Sequence, residues 1–138
     1  MAMSGPVAVE WVGEGLRFTG TTPNGRVDLA SSLDGPGGGA RPMELLALAL
    51  GGCTAMDVLS ILVKMRQPVE DFRVEVRGER AEEHPKQYTS LEVVYHLKGD
   101  LDEKKVLRAI ELSETRYCAV EATLRPAVPI TSRYVLER

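Results

Sequence analysis

The spacing of apolar residues divides the chain into stretches of two kinds. Near the start, Val7, Val9 and Trp11 alternate with Ala8 and Glu10, and Leu16 and Phe18 share a face further on. This period of two predicts short strands. "PNGRVDL" sets an Asn24-Gly25 turn before a third strand, and Asn-Gly between β-compatible runs is a strong hairpin signal. The spacing changes at Pro42, which suits the first position of a helix, with Glu44 in the first turn to match its dipole. From there to about Met65, leucines, valines, isoleucine and methionine cover most of a helical circumference. A helix apolar nearly all round is buried on several sides, so this one is expected at the centre of the core, with a partner subunit covering part of it.

The period of two then returns. "FRVEVRGER" alternates Phe72, Val74 and Val76 with charges, and "YTSLEVVYHLKG" places Leu91, Val93, Tyr95 and Leu97 on one face, with "AEEHPKQ" as the loop between them. A second helix follows in "GDLDEKKVLRAIELSETRYC", where Asp100 and Glu103 have capping-box spacing and Val106, Leu107, Ile110 and Leu112 form a partial stripe. "YCAVEATLRP" predicts a short helical segment that stops before Pro126, and "VPITSRYVLE" a last strand. The order is strands, helix, strands, helix, strand, which predicts an α+β fold with mostly antiparallel pairing. A length of 138 residues predicts one domain, 1–138.

Composition narrows the function classes. A formal net charge of -3 gives no electrostatic case for nucleic acid or an anionic membrane as partner. The N-terminal "MAMSGPVAVEW" lacks the basic region and long apolar core of a signal peptide, and Asp57 and Lys64 break the longest apolar run, so no membrane span and a cytoplasmic location are expected. "GPGGGA" formally fits a dinucleotide-binding glycine pattern, but no parallel strand-helix-strand unit follows it, and there is no G-K-[ST]. Neither histidine pairs with another ligand at metal-binding spacing and there is no C-x-x-C, so no zinc or other metal site is expected.

Two cysteines remain as carriers of chemistry. Cys53 follows Gly51 and Gly52 inside the apolar helix, where each glycine costs roughly 1 kcal/mol relative to alanine. The pair serves either tight packing or space beside the sulfur for a small apolar substrate. A thiolate needs a nearby cation or donor, and the local sequence offers instead Asp57, one helical turn on. The candidate cations are Arg17 and Arg26 on the N-terminal strands and Arg41 at the entry to the helix. Cys118, near the start of the short helix, stands where a thiolate is favoured and accessible. Two free thiols are equally compatible with buried apolar fillers.

"RPMELLALALGGCTAMDVLSIL" followed at a distance by "RYCAVEATL" resembles the OsmC/Ohr family, the osmotically inducible and organic hydroperoxide resistance proteins. "PMELL" and "GGCTAMD" are most similar to its YhfA-like branch. The resemblance implies an intertwined α+β homodimer and a peroxidase without metal or flavin. In it, Cys53 attacks an organic hydroperoxide, Cys118 closes a disulfide on the resulting sulfenic acid, and an external dithiol reduces the bridge. It further implies that an arginine, Arg17 as first choice and Arg26 as second, stabilises the thiolate, that Glu44 orients it, and that Gly51 and Gly52 leave room for the peroxide. The family's glutamate directly follows the helix-opening proline, where this chain has Met43, and its second cysteine precedes a proline, where this chain has Ala119. The other reading is a dimeric binding protein that holds a small apolar ligand beside Gly51 and Gly52, with inert cysteines.

Overall fold

A computed structural model describes residues 1–138 and divides into two compact units, Met1–Leu46 and Ala47–Arg138. The first unit is a meander of three antiparallel strands, β1 (Ala8–Trp11), β2 (Arg17–Thr22) and β3 (Gly25–Ala30). The β2–β3 turn falls one residue earlier than Asn24-Gly25. Thr22 pairs with Gly25, so Pro23 and Asn24 form the loop and Gly25 already belongs to β3. The Thr22 hydroxyl oxygen accepts from the backbone N–H groups of Asn24 and Gly25, each at 3.0 Å, and this local turn sets the register.

Helix α1 runs from Pro42 to Lys64. Glu44 reaches back to accept from the Arg41 N–H at 2.8 Å, half of a capping box. The helix then continues into the second unit, where Leu50, Thr54, Val58 and Leu62, at intervals of four, form its fully buried face. The expectation of burial on several sides is therefore met on one face only within the chain. The opposite face, Leu48, Met56, Leu59 and Val63, is 65, 75, 40 and 61% exposed. By length and composition alone α1 would pass for a membrane span, although Asp57 and Lys64 interrupt its apolar run. With 23 residues and a mean hydropathy of 2.0 over its most apolar window, α1 is long and apolar enough. A core helix has the same composition, and here the Leu50–Leu62 face lies in the hydrophobic core of the second unit.

That core rests on the sheet β4 (Asp71–Arg80), β5 (Tyr88–Lys98) and β6 (Ile130–Glu137), in that order. The β4–β5 pair is antiparallel, whereas β6 returns parallel to β5, so the chain between them is a crossover. Leu91, Val93, Tyr95 and Leu97 on the central strand are buried, as their alternation predicts. The crossover consists of α2 (Glu103–Leu112), a π-helical turn (Ser113–Tyr117) and α3 (Ala119–Leu124). The cap of α2 is Asp102, which accepts from the Lys104 N–H at 3.0 Å, and not Asp100, whose carboxylate pairs with Arg138. Asp102 wins because the backbone first becomes helical at Glu103, which makes Asp102 the last extended residue.

Candidate active site

Cys53 lies one turn before Asp57 on α1, so the two side chains share a face of that helix. Cys118 comes from the crossover, at the junction of the π-helical turn and α3. The Cys118 N–H donates to the Ser113 carbonyl at 2.8 Å, a span of five residues that closes the wider turn. Cys118 is also the cap of α3, its Sγ accepting from the Glu121 N–H at 3.3 Å. These placements bring the two sulfurs and a carboxylate oxygen of Asp57 within 4.8 Å of one another. Both cysteines are free thiols, with no disulfide between them.

The two thiols differ in setting. Cys53 is half-buried, whereas Cys118 is 3% exposed and part of the core cluster. The accessible, readily ionised Cys118 expected at a helix start is therefore corrected. Burial, and then the neighbouring Cys53, push its thiol up to about 12, and the N–H of Glu121 offsets only part of this. A thiol held that far up stays protonated at pH 8. Iodoacetamide at pH 8 is accordingly expected to leave Cys118 unmodified in the folded, reduced protein and to modify it in denaturant. Peptide mapping by mass spectrometry checks this, and rapid native labelling of Cys118 would contradict it.

Asp57 is held by a residue that no local pattern singles out. Ser113 is fully buried, and its hydroxyl donates to Asp57 Oδ2 at 3.1 Å. Behind Cys118 lies a second group of polar side chains. Arg125 donates to Glu121 Oε2 at 2.9 Å and to the Glu114 carbonyl, and Ser132 donates to the Glu114 carboxylate at 2.5 Å. Burial raises the pKa of both Glu114 and Glu121 despite these partners. The Tyr95 hydroxyl is buried close to Thr54 and Glu114 without a well-aligned hydrogen bond to either, and burial raises its pKa too.

The two glycines before Cys53 have different surroundings. A Cβ on Gly51 would stand 3.0 Å from Val76 Cγ2, so Gly51 admits the side chains of β4. A Cβ on Gly52 would meet nothing within 4 Å. Of the two, only Gly52 borders open space. The remaining candidates belong to the first unit. Arg17 begins β2, with its guanidinium against Gly38, and Arg26 is exposed on β3. Arg41 donates to the carbonyls of Gly35, Gly37 and Gly39, holding the glycine-rich loop, and Glu44 caps α1.

A sequence profile described as OsmC-like protein matches residues 35–133. The chain is 43% identical to protein YhfA of Escherichia coli K12 over 129 residues, covering 91% of this chain and 93% of YhfA. A hypothetical protein of Aquifex aeolicus VF5 shares its structure with a TM-score of 0.83 at 32% identity, over 99% of this chain and all of that one. The organic hydroperoxide resistance protein OhrB of Bacillus subtilis has the same fold at a TM-score of 0.65 and 15% identity, over 96% of this chain and 98% of that one.

Proposed function

The chain belongs to the OsmC family, and from that membership and its converging thiols we propose that it is a peroxidase that reduces organic hydroperoxides. The observation that carries the proposal is the approach of Cys53 and Cys118 to within 4.8 Å, although they lie on separate elements. In the first step the Cys53 thiolate attacks one peroxide oxygen. An S–O bond forms, the O–O bond breaks, and the alcohol departs with one proton, leaving a sulfenic acid. In the second step the Cys118 sulfur attacks Cys53, the sulfenic hydroxyl leaves as water, and a disulfide remains. The Cys118 proton must leave during this attack, because its thiol is almost wholly protonated beforehand. Asp57, fixed by Ser113, accepts that proton and passes it to the departing hydroxyl. An external dithiol then reduces the bridge.

In this reading Arg17 supplies the cation for the Cys53 thiolate and Glu44 orients it. Gly52 leaves space for the peroxide, and Gly51 keeps α1 close to β4. The whole chain acts as one OsmC-like domain in the cytoplasm, as a homodimer. The exposed Leu48–Val63 face of α1 supports the second copy, since an apolar stripe of four turns is costly to leave in water.

A second reading is favoured by the raised pKa of Cys118 and by a carboxylate as the charge beside Cys53. There the thiols are inert and the space beside Gly52 holds a small apolar ligand. One experiment separates the two. Fully reduced protein receives one equivalent of cumene hydroperoxide, followed by intact-mass analysis and thiol counting. The peroxidase is expected to lose both thiols rapidly, to form a Cys53–Cys118 bridge within one chain, and to recover with a dithiol. Persistence of both thiols and of the peroxide would leave only the binding protein.

A further inference from the structure

The proposed redox cycle uses Cys53, Cys118 and Asp57 in different roles, but their convergence has a second chemical meaning. We propose that the reduced protein binds a thiophilic divalent cation, zinc for example, through the sulfurs of Cys53 and Cys118 and a carboxylate oxygen of Asp57. The bound ion shields both thiols from peroxide. Binding stands on geometry alone, whereas shielding rests on the peroxidase reading.

The spacing fits. Two thiolates on one tetrahedral zinc stand about 3.8 Å apart, given Zn–S bonds of about 2.3 Å. The three donor atoms here are within 4.8 Å of one another, so side-chain rotation closes the difference. Cys53 and Asp57 contribute from successive turns of one rigid helix, as paired ligands do in helical zinc sites. The third ligand comes from the crossover.

The supporting shell is also in place. Metal-binding carboxylates and thiolates are held by outer hydrogen bonds, and here Ser113 donates to Asp57 Oδ2 and the Glu121 N–H donates to Cys118 Sγ. Two sulfurs with one carboxylate favour a soft or borderline ion over magnesium or calcium. On binding, the two thiols release two protons, three anionic ligands meet a dication, and water completes the tetrahedron. A coordinated sulfur donates a lone pair to the metal and loses electron density, so it attacks peroxide more slowly than a free thiolate. The arrangement escapes a search for C-x-x-C or paired histidines because its third ligand is brought in only by folding.

The test is a titration of reduced, full-length protein with Co²⁺, followed by displacement with Zn²⁺. The expected result is one ion per chain with thiolate-to-cobalt charge-transfer absorption and tetrahedral visible bands. Cys53→Ser and Cys118→Ser should each weaken binding at least about 100-fold, and Asp57→Asn and Ser113→Ala at least about 10-fold. Circular dichroism establishes that each variant is folded. The wild-type protein supplies a control that needs no substitution, since forming the disulfide should abolish binding and reduction by a phosphine should restore it. Absence of charge-transfer absorption, or affinity unaffected by Cys118→Ser, Asp57→Asn or the disulfide, would overturn the site. With zinc bound, thiol loss to cumene hydroperoxide should slow at least about 10-fold, as expected of a coordinated thiolate. An unchanged rate would overturn the shielding. If metal-free protein also keeps its thiols, the peroxidase reading fails, while the cobalt spectrum still reports on the site.

Discussion

Cys53→Ser is expected to lower cumene hydroperoxide consumption by more than about 10³-fold, because a serine hydroxyl stays protonated and cannot replace a thiolate as nucleophile. Cys118→Ser should behave differently. Its first equivalent of peroxide is still reduced at Cys53, but no disulfide follows, and the sulfenic acid persists long enough to be trapped by dimedone and detected as a single adduct. The contrast separates the two roles. Loss of function in Cys53→Ser with a trapped sulfenic acid in Cys118→Ser requires attack at Cys53 and closure at Cys118. Wild-type activity in both variants would remove the sulfurs from the chemistry. The half-buried setting of Cys53 and the deep burial of Cys118 agree with this order, since the first thiol must meet a substrate and the second only its neighbour.

Met56→Glu is expected to dissociate the proposed homodimer. Met56 is 75% exposed in the chain and lies midway along the stripe of Leu48, Leu59 and Val63. Covering a methionine contributes about 2 kcal/mol, and an unpaired carboxylate in its place costs several more. In a two-fold interface each substitution enters twice. Dimer affinity should therefore fall by at least about 10³-fold, at roughly 1.4 kcal/mol per factor of ten. Sedimentation equilibrium checks this directly. A wild-type chain that sediments as a monomer, or a Met56→Glu dimer as tight as wild type, would refute the proposed interface.

Much of this architecture is legible from the sequence because it depends on local periodicity. Leu91, Val93, Tyr95 and Leu97 alternate and are buried, and Pro42 with Glu44 marks the start of α1. The cap of α2 was less legible, because Asp100 and Asp102 both precede the helix and only the backbone distinguishes them. The direction of β6 was not legible at all, since its side-chain alternation is the same whether it runs parallel or antiparallel to β5. At the site, Cys53 and Asp57 could be paired on paper because one helix carries both. Their meeting with Cys118, and the role of Ser113, depend on a crossover whose path no local pattern encodes. The burial of Cys118 is hidden from local pattern for the same reason. Its position at a helix start was correct, but that end of the helix faces the core.

The five-residue turn Ser113–Tyr117 acts as a phase adjuster between α2 and the second thiol. A π-helical turn is an α-helix carrying one extra residue, and each residue of an α-helix advances a side chain by about 100°. Removing one residue from this segment would regularise the helix and swing Cys118 roughly a quarter-turn or more around its axis, away from Cys53. The proposed disulfide would thus depend on the length of a single turn. A one-residue deletion there would convert a two-thiol protein into a one-thiol protein while both cysteines remained in the sequence.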